Sequence, residues 1–68
     1  MNIKIKVGLK IKALRKQNEL TQERLSEMTN INRTYISDVE RGLRNISIIN
    51  LEKIAIAFRI ELYELLMF

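Results

Sequence analysis

Four times along this chain an apolar residue stands just before a helix-cap position and a second apolar residue follows the cap by four places. The sets are Leu20, Thr21 and Leu25; Ile31, Asn32 and Ile36; Ile46, Ser47 and Leu51; and Ile60, Glu61 and Leu65. This is the hydrophobic staple, which pins the entering chain against the first turns of a helix. Thr, Asn and Ser are good caps because their side-chain oxygens accept from free backbone N–H groups at the helix start, whereas glutamate is a poor one. The staples predict helices over about residues 21–28, 32–41, 47–58 and 61–67. A further helix, over about residues 5–18, is predicted from Val7, Ile11 and Leu14 at i, i+4 and i+7, although Ile3, Ile5 and Val7 also alternate as in a strand. With no proline and only Gly8 and Gly42 to make tight turns, the chain reads as all-α, a five-helix single domain over residues 1–68.

Sixty-eight residues bury a modest core, and without cysteine or histidine the chain has neither a disulfide nor a thiolate or imidazole metal site to reinforce it. Helix packing and a partner subunit remain as sources of stability. No nucleophile–base pair presents itself, and so small a core has no room for a pocket of about 300 Å³, so an enzyme, a cofactor and a small-molecule ligand are all unexpected. No apolar run is long enough to span a membrane, and the N-terminus lacks the apolar core of a signal peptide, which makes cytoplasmic the expected location. The net charge of +4 is concentrated: Lys4, Lys6, Lys10, Lys12, Arg15 and Lys16 precede the first acid, Glu19. Such a basic pole favours an anionic partner, while a solvated helix face is the competing account.

Only Thr29, Asn30 and Ile31 separate the second and third predicted helices, a turn that forces an angled pair. Asn30 stands where a left-handed residue is needed, and Gly42 closes the third helix in the same way. Gln22, Ser26, Asn30, Ile36 and Val39 together resemble the helix-turn-helix of phage-repressor-like (Cro/CI-type) transcription regulators. In that pattern a Gln is followed by a small residue, a turn residue and two buried aliphatics. Ser26 and Asn30 replace the usual Ala and Gly with residues that are small or tolerate left-handed backbone. The stretch "GLKIKALRKQNELTQERLSEM" resembles the family's first helices and "SIINLEKIAIAFRIELYELL" its last two, so the likeness runs from about Gly8 to Leu66. It implies a lambda-repressor-like fold that binds double-stranded DNA.

A recognition helix meets base edges in the major groove with its first two turns. Ile36 and Val39 point inward by the staple argument, leaving Arg33, Thr34, Ser37 and Asp38 as candidate base contacts. Arg33 has the fork to bind guanine O6 and N7, and Thr34 and Ser37 can donate or accept. Asp38 repels phosphate unless it accepts from cytosine or orients an arginine, and the second role is preferred. Arg44 is a further candidate base contact beyond the glycine stop. Thr21, Gln22, Asn32, Tyr35, Arg41 and Asn45 are candidate phosphate contacts, Thr21 and Gln22 through the start of the second helix. For Tyr35 the alternative is a half-buried ring completing the core, and for Gln22 and Arg41 it is plain solvated surface. By resemblance, Arg15 and Glu40 form a structural ion pair.

On the fourth helix Leu51, Ile54, Ala55 and Phe58 form one apolar stripe and are assigned to the core. Ile48, Ile49, Ile56, Leu62, Leu66, Met67 and Phe68 are then too many for the interior. An apolar C-terminal patch formed by Ile49, Leu62, Leu66, Met67 and Phe68 predicts a homodimer, which would present two recognition helices about 34 Å apart to a palindromic operator. Arg59 stands where relatives often carry glycine. Within the family, "NRTYISDVERGLRNISIINLEKIA" looks most like the controller proteins of restriction-modification systems. That likeness implies activation of the protein's own gene and the endonuclease gene at low concentration and repression at high, with RNA polymerase as a further partner. A phage Cro-like repressor, or an antitoxin whose apolar patch covers a toxin, are the alternatives.

Overall fold

The computed structural model describes residues 1–68 and contains five helices and no strand. They are α1 (Ile3–Gln17), α2 (Gln22–Thr29), α3 (Arg33–Glu40), α4 (Ile48–Ala57) and α5 (Leu62–Leu65). The strand-like alternation at the N-terminus loses to a cap: Asn2 Oδ1 accepts from Lys4 N at 2.8 Å and starts α1 two residues earlier than the apolar periodicity predicts. Thr21, Asn32 and Ser47 cap α2, α3 and α4, each accepting from a backbone N–H of the first turn. Glu61 begins α5 in a reciprocal arrangement, its own N–H donating to Glu64 Oε2 at 2.8 Å. That helix is shorter than predicted, four residues, and leaves Met67 and Phe68 outside it.

Three helices end in Schellman motifs, in which a left-handed residue lets two N–H groups turn back onto the last carbonyls. At Gly42, φ is +75°, with Gly42 N donating to Val39 O and Leu43 N to Asp38 O. Glu19 and Arg59 do the same for α1 and α4 at φ of 57° and 59°, although neither has the freedom of glycine. Arg59 thus takes on the left-handed role itself. Asn30, at φ 58°, turns the chain between α2 and α3.

All four residues that follow a staple cap by four, Leu25, Ile36, Leu51 and Leu65, are buried, and their partners Leu20, Ile31, Ile46 and Ile60 lie within or against the same core. The core is completed by Val7 and Ile11 from α1, Val39 from α3, Ile54 and Ala55 from α4, and Phe58 at the C-cap of α4. The predicted apolar stripe of α4 is therefore wholly interior. α1 packs on α3, α2 on α3 and α4, and α5 closes the bundle against α4 and α1. The crossing of α1 and α3 is close enough to need glycine: a Cβ at Gly8 would fall on the carbonyl oxygens of Val39 and Glu40. That proximity fixes the axis of α3 relative to the rest of the molecule.

Candidate nucleic-acid interface

Burying Ile36, Val39 and Glu40 turns the opposite side of α3 outward. Arg33 and Thr34 are exposed in its first turn, and Ser37 and Asp38 are half-buried one turn later. The cap residue Asn32 is exposed and keeps its amide nitrogen at the surface while Oδ1 holds Thr34 N at 2.7 Å. At the start of α2, Thr21 Oγ1 accepts from Arg24 N at 3.0 Å, and the exposed Thr21 leaves the positive end of the helix dipole toward solvent. The turn between α2 and α3 is held by two side chains from the second half of α2. Ser26 Oγ donates to the Ile31 carbonyl, and buried Thr29 Oγ1 donates to Leu25 O at 2.7 Å while accepting from Ile31 N. The hydroxyl of Ser26 thus does a tethering task that an alanine there lacks.

The arginines are not equivalent. Arg33 has no carboxylate partner within the chain. Arg41 donates through Nη2 to Asp38 Oδ1 at 2.8 Å, so the acid orients an arginine while staying half-buried on the outward side of α3. Arg44 lies with its guanidinium carbon 4.5 Å from the centroid of the Tyr35 ring. The Tyr35 hydroxyl accepts from Ser47 N at 3.2 Å, so this half-buried ring ties the segment between α3 and α4 back onto α3. Burial by itself would raise the Tyr35 pKa, but hydrogen bonds from Asn50 and Ser47 and the charge of Arg44 outweigh it and bring the phenol below its ordinary value of 10. Asn45 is exposed next to Arg44, and both border a cleft of about 170 Å³ with Lys4, Val7, Val39 and Leu51.

Two groups of residues take positions that the sequence pattern does not show. Gln22 is half-buried, and its Nε2 donates to Glu40 Oε1 at 3.1 Å instead of pointing freely from the start of α2. Glu40 also forms with Arg15 the ion pair that the resemblance implies, receiving both Nε and Nη2 at 2.7 and 3.0 Å, while Arg15 Nη1 reaches Leu20 O at 2.8 Å. The basic pole is correspondingly reduced by Arg15, whose charge is paired with Glu40, while the exposed Lys6 lies 6.0 Å from the Phe68 ring and keeps its charge. The apolar C-terminal patch also divides. Leu62 is half-buried against the core, whereas Leu66, Met67, Phe68 and Ile49 are exposed, Leu66 bordering the cleft, Phe68 beside α1 and Ile49 on α4. Ile56, seven residues after Ile49 on the same stripe, and Tyr63 on α5 are each about two-thirds exposed. Periodicity is able to pair Ile49 with Ile56, but nothing in the sequence separates this stripe from the residues that flank α1.

Residues 11–65 match the family described as helix-turn-helix, HTH_3. The chain belongs to this family. It is a DNA-binding transcription regulator and not an enzyme, and no helix of this helix-turn-helix protein is long and apolar enough to cross a membrane. Control protein C.MunI of a Mycoplasma species is 46% identical over 65 residues, which cover 94% of this chain and 88% of the relative. The crystal structure of the restriction-modification controller protein C.AhdI from Aeromonas hydrophila superimposes with a TM-score of 0.89 at 40% identity, covering 91% of this helix-turn-helix protein and 94% of that chain. The biofilm master regulator SinR, solved in complex with DNA, gives a TM-score of 0.85 at 32% identity over 90% of this chain and 98% of the other.

Proposed function

We propose that this helix-turn-helix protein is the controller of a restriction-modification system, a cytoplasmic homodimer that reads a palindromic operator. In this reading it activates its own gene and the linked endonuclease gene at low concentration, placed beside RNA polymerase, and represses when further operator sites fill. The observation that carries the proposal is similarity to control proteins that spans nearly the full length of both partners, at 46% identity to C.MunI and 40% to C.AhdI.

The proposed division of labour follows the geometry. Arg33, Thr34, Ser37, Asp38 and Arg44 meet bases, while Thr21, Asn32, Arg41 and Asn45 meet phosphates. Gln22 acts on phosphate through its backbone N–H at the start of α2, since its side-chain amide is engaged by Glu40. Tyr35 acts indirectly, by holding Arg44 and the segment before Ser47. Dimerisation uses the exposed stripe containing Ile49 and Ile56, with Tyr63 beside it, because a marginal 68-residue chain gains most by covering an apolar surface with a second copy.

Selection of bound duplexes from a random library at fixed salt, with wild type and Arg33→Ala in parallel, tests the DNA-reading role. A palindromic consensus is expected, with one guanine preference per half-site relaxed in the variant. Binding without consensus, steep in salt and indifferent to the mutation, would reject sequence-specific readout. Sedimentation of wild type and Ile56→Asp tests the dimer: the wild type should sediment as two copies and the variant as one. A wild-type protein that stays monomeric and aggregates when expressed alone would favour an antitoxin whose apolar surface covers another protein.

A further inference from the structure

We infer that Asp38 reads an exocyclic amino group in the major groove, foremost cytosine N4, and so rejects guanine and thymine at one position of each half-site. The inference rests on the proposed DNA-reading role of α3 and adds the identity of a base to it.

Asp38 is the one acid on the outward side of α3. The other acid of the helix, Glu40, is buried and held by Arg15 and Gln22. Asp38 is paired with Arg41 and lies in a stretch that also carries Arg33 and Arg44, and on a DNA-facing surface arginines serve attraction to phosphate. A carboxylate there works against that attraction, and the ion pair with Arg41 does not repay it: Arg41 is 63% exposed, and pairs at such sites contribute little. The acid is therefore better explained by discrimination than by affinity.

Its chemistry restricts what it can read. An ionised carboxylate only accepts hydrogen bonds. In the major groove guanine presents N7 and O6 and thymine presents O4, all acceptors, whereas cytosine presents the N4 donor and adenine the N6 donor beside its N7 acceptor. Cytosine thus offers a donor with no adjacent acceptor on the same base. Arg41 Nη2 engages Oδ1 alone, which leaves Oδ2 free and restrains the side chain's rotation. Asp38 lies one helical turn after Thr34 on the same stripe, so its base is about 6 Å, roughly two base-pair steps, from the one met by Thr34.

The test is library selection with wild type, Asp38→Ala, Asp38→Asn and Arg41→Ala. Wild type should select cytosine at one position per half-site, and Asp38→Ala should relax that position by about ten-fold while the others keep their preferences. Asp38→Asn should move the same position toward adenine, because an amide matches N6 and N7 together. Arg41→Ala should lower affinity and the salt slope yet retain the cytosine preference. If Asp38→Ala and Asp38→Asn change affinity alike for all sequences and leave every preference as it was, the carboxylate serves only to hold Arg41 and the inference is wrong. A wild type without any consensus overturns the DNA-reading role itself, and this inference with it.

Discussion

Arg15 and Glu40, 25 residues apart in the chain, meet through two parallel hydrogen bonds of 2.7 and 3.0 Å, and their side chains are only 11% and 2% exposed. The pair ties the end of α1 to the end of α3, and Gln22 extends it to the start of α2. Hydrogen bonding and charge from the ionised Glu40 hold the Arg15 guanidinium above its ordinary pKa despite burial, so on the alkaline side this contribution to stability is lost as pH rises through the raised value. Removing one partner strands the other charge in a place that water reaches poorly. Glu40→Ala should lower the unfolding free energy by about 3–5 kcal/mol in urea titration. Arg15→Lys should recover little of what Arg15→Ala loses, since an ammonium lacks the fork that matches the carboxylate.

Gly8 and Gly42 should be intolerant of a methyl group for different reasons. At Gly8 the added Cβ meets backbone oxygens that cannot swing aside, so Gly8→Ala should cost about 1–3 kcal/mol or more by displacing α1 from α3. At Gly42 the penalty combines left-handed backbone, about 1–2 kcal/mol, with contact against the Ile5 side chain. Thermal unfolding of the two variants measures both losses. Gly42→Asn should fall between wild type and Gly42→Ala, because asparagine tolerates the left-handed region.

The opposite substitution should help at the other two Schellman positions. Glu19 and Arg59 are exposed non-glycine residues at positive φ. Replacing either with glycine removes that conformational cost but adds chain entropy to the unfolded state, leaving a net gain of about 0.5–1 kcal/mol. A higher urea midpoint for Glu19→Gly and Arg59→Gly, with unchanged slope, is the expected result.

Tyr35 should titrate below 10, and in a Tyr63→Phe background it is the sole tyrosine, so ultraviolet absorbance follows it directly. Adding Arg44→Ala removes a nearby positive charge and should move the midpoint upward. Because the folded-state pKa is depressed, the associated stabilisation is fully present above about 10 and is lost as pH falls through the folded value. A midpoint insensitive to Arg44→Ala would show that the ring and the guanidinium do not stay together in solution.

Much of the fold is legible because its signals act over four or five residues. A cap oxygen finds an N–H two or three places on, and a staple joins residues five apart, so Thr21, Asn32 and Ser47 mark helix starts in any arrangement of the helices. Asn30 and Gly42 are legible as left-handed positions by residue type. Glu19 and Arg59 are not, since their side chains give no hint of positive φ and the packing of the neighbouring helices imposes it.

The candidate interface divides along the same line. That Arg33, Thr34, Ser37 and Asp38 face away from Ile36 and Val39 follows from helical spacing alone. That the Gln22 amide turns to Glu40, 18 residues away, follows from how α2 crosses α3, and periodicity within a helix carries no information about a crossing. The same holds for Tyr35, whose hydroxyl reaches Ser47 across 12 residues, and for the apolar patch that separates into an α4 stripe and a group beside α1. The sequence by itself determined the helices, their caps and the outward face of α3, because those depend on neighbours in the chain. Only the tertiary structure decided which polar side chains are spent on joining helices and which remain free at the surface, because close packing brings donors and acceptors together at distances of about 3 Å that no sequence separation encodes.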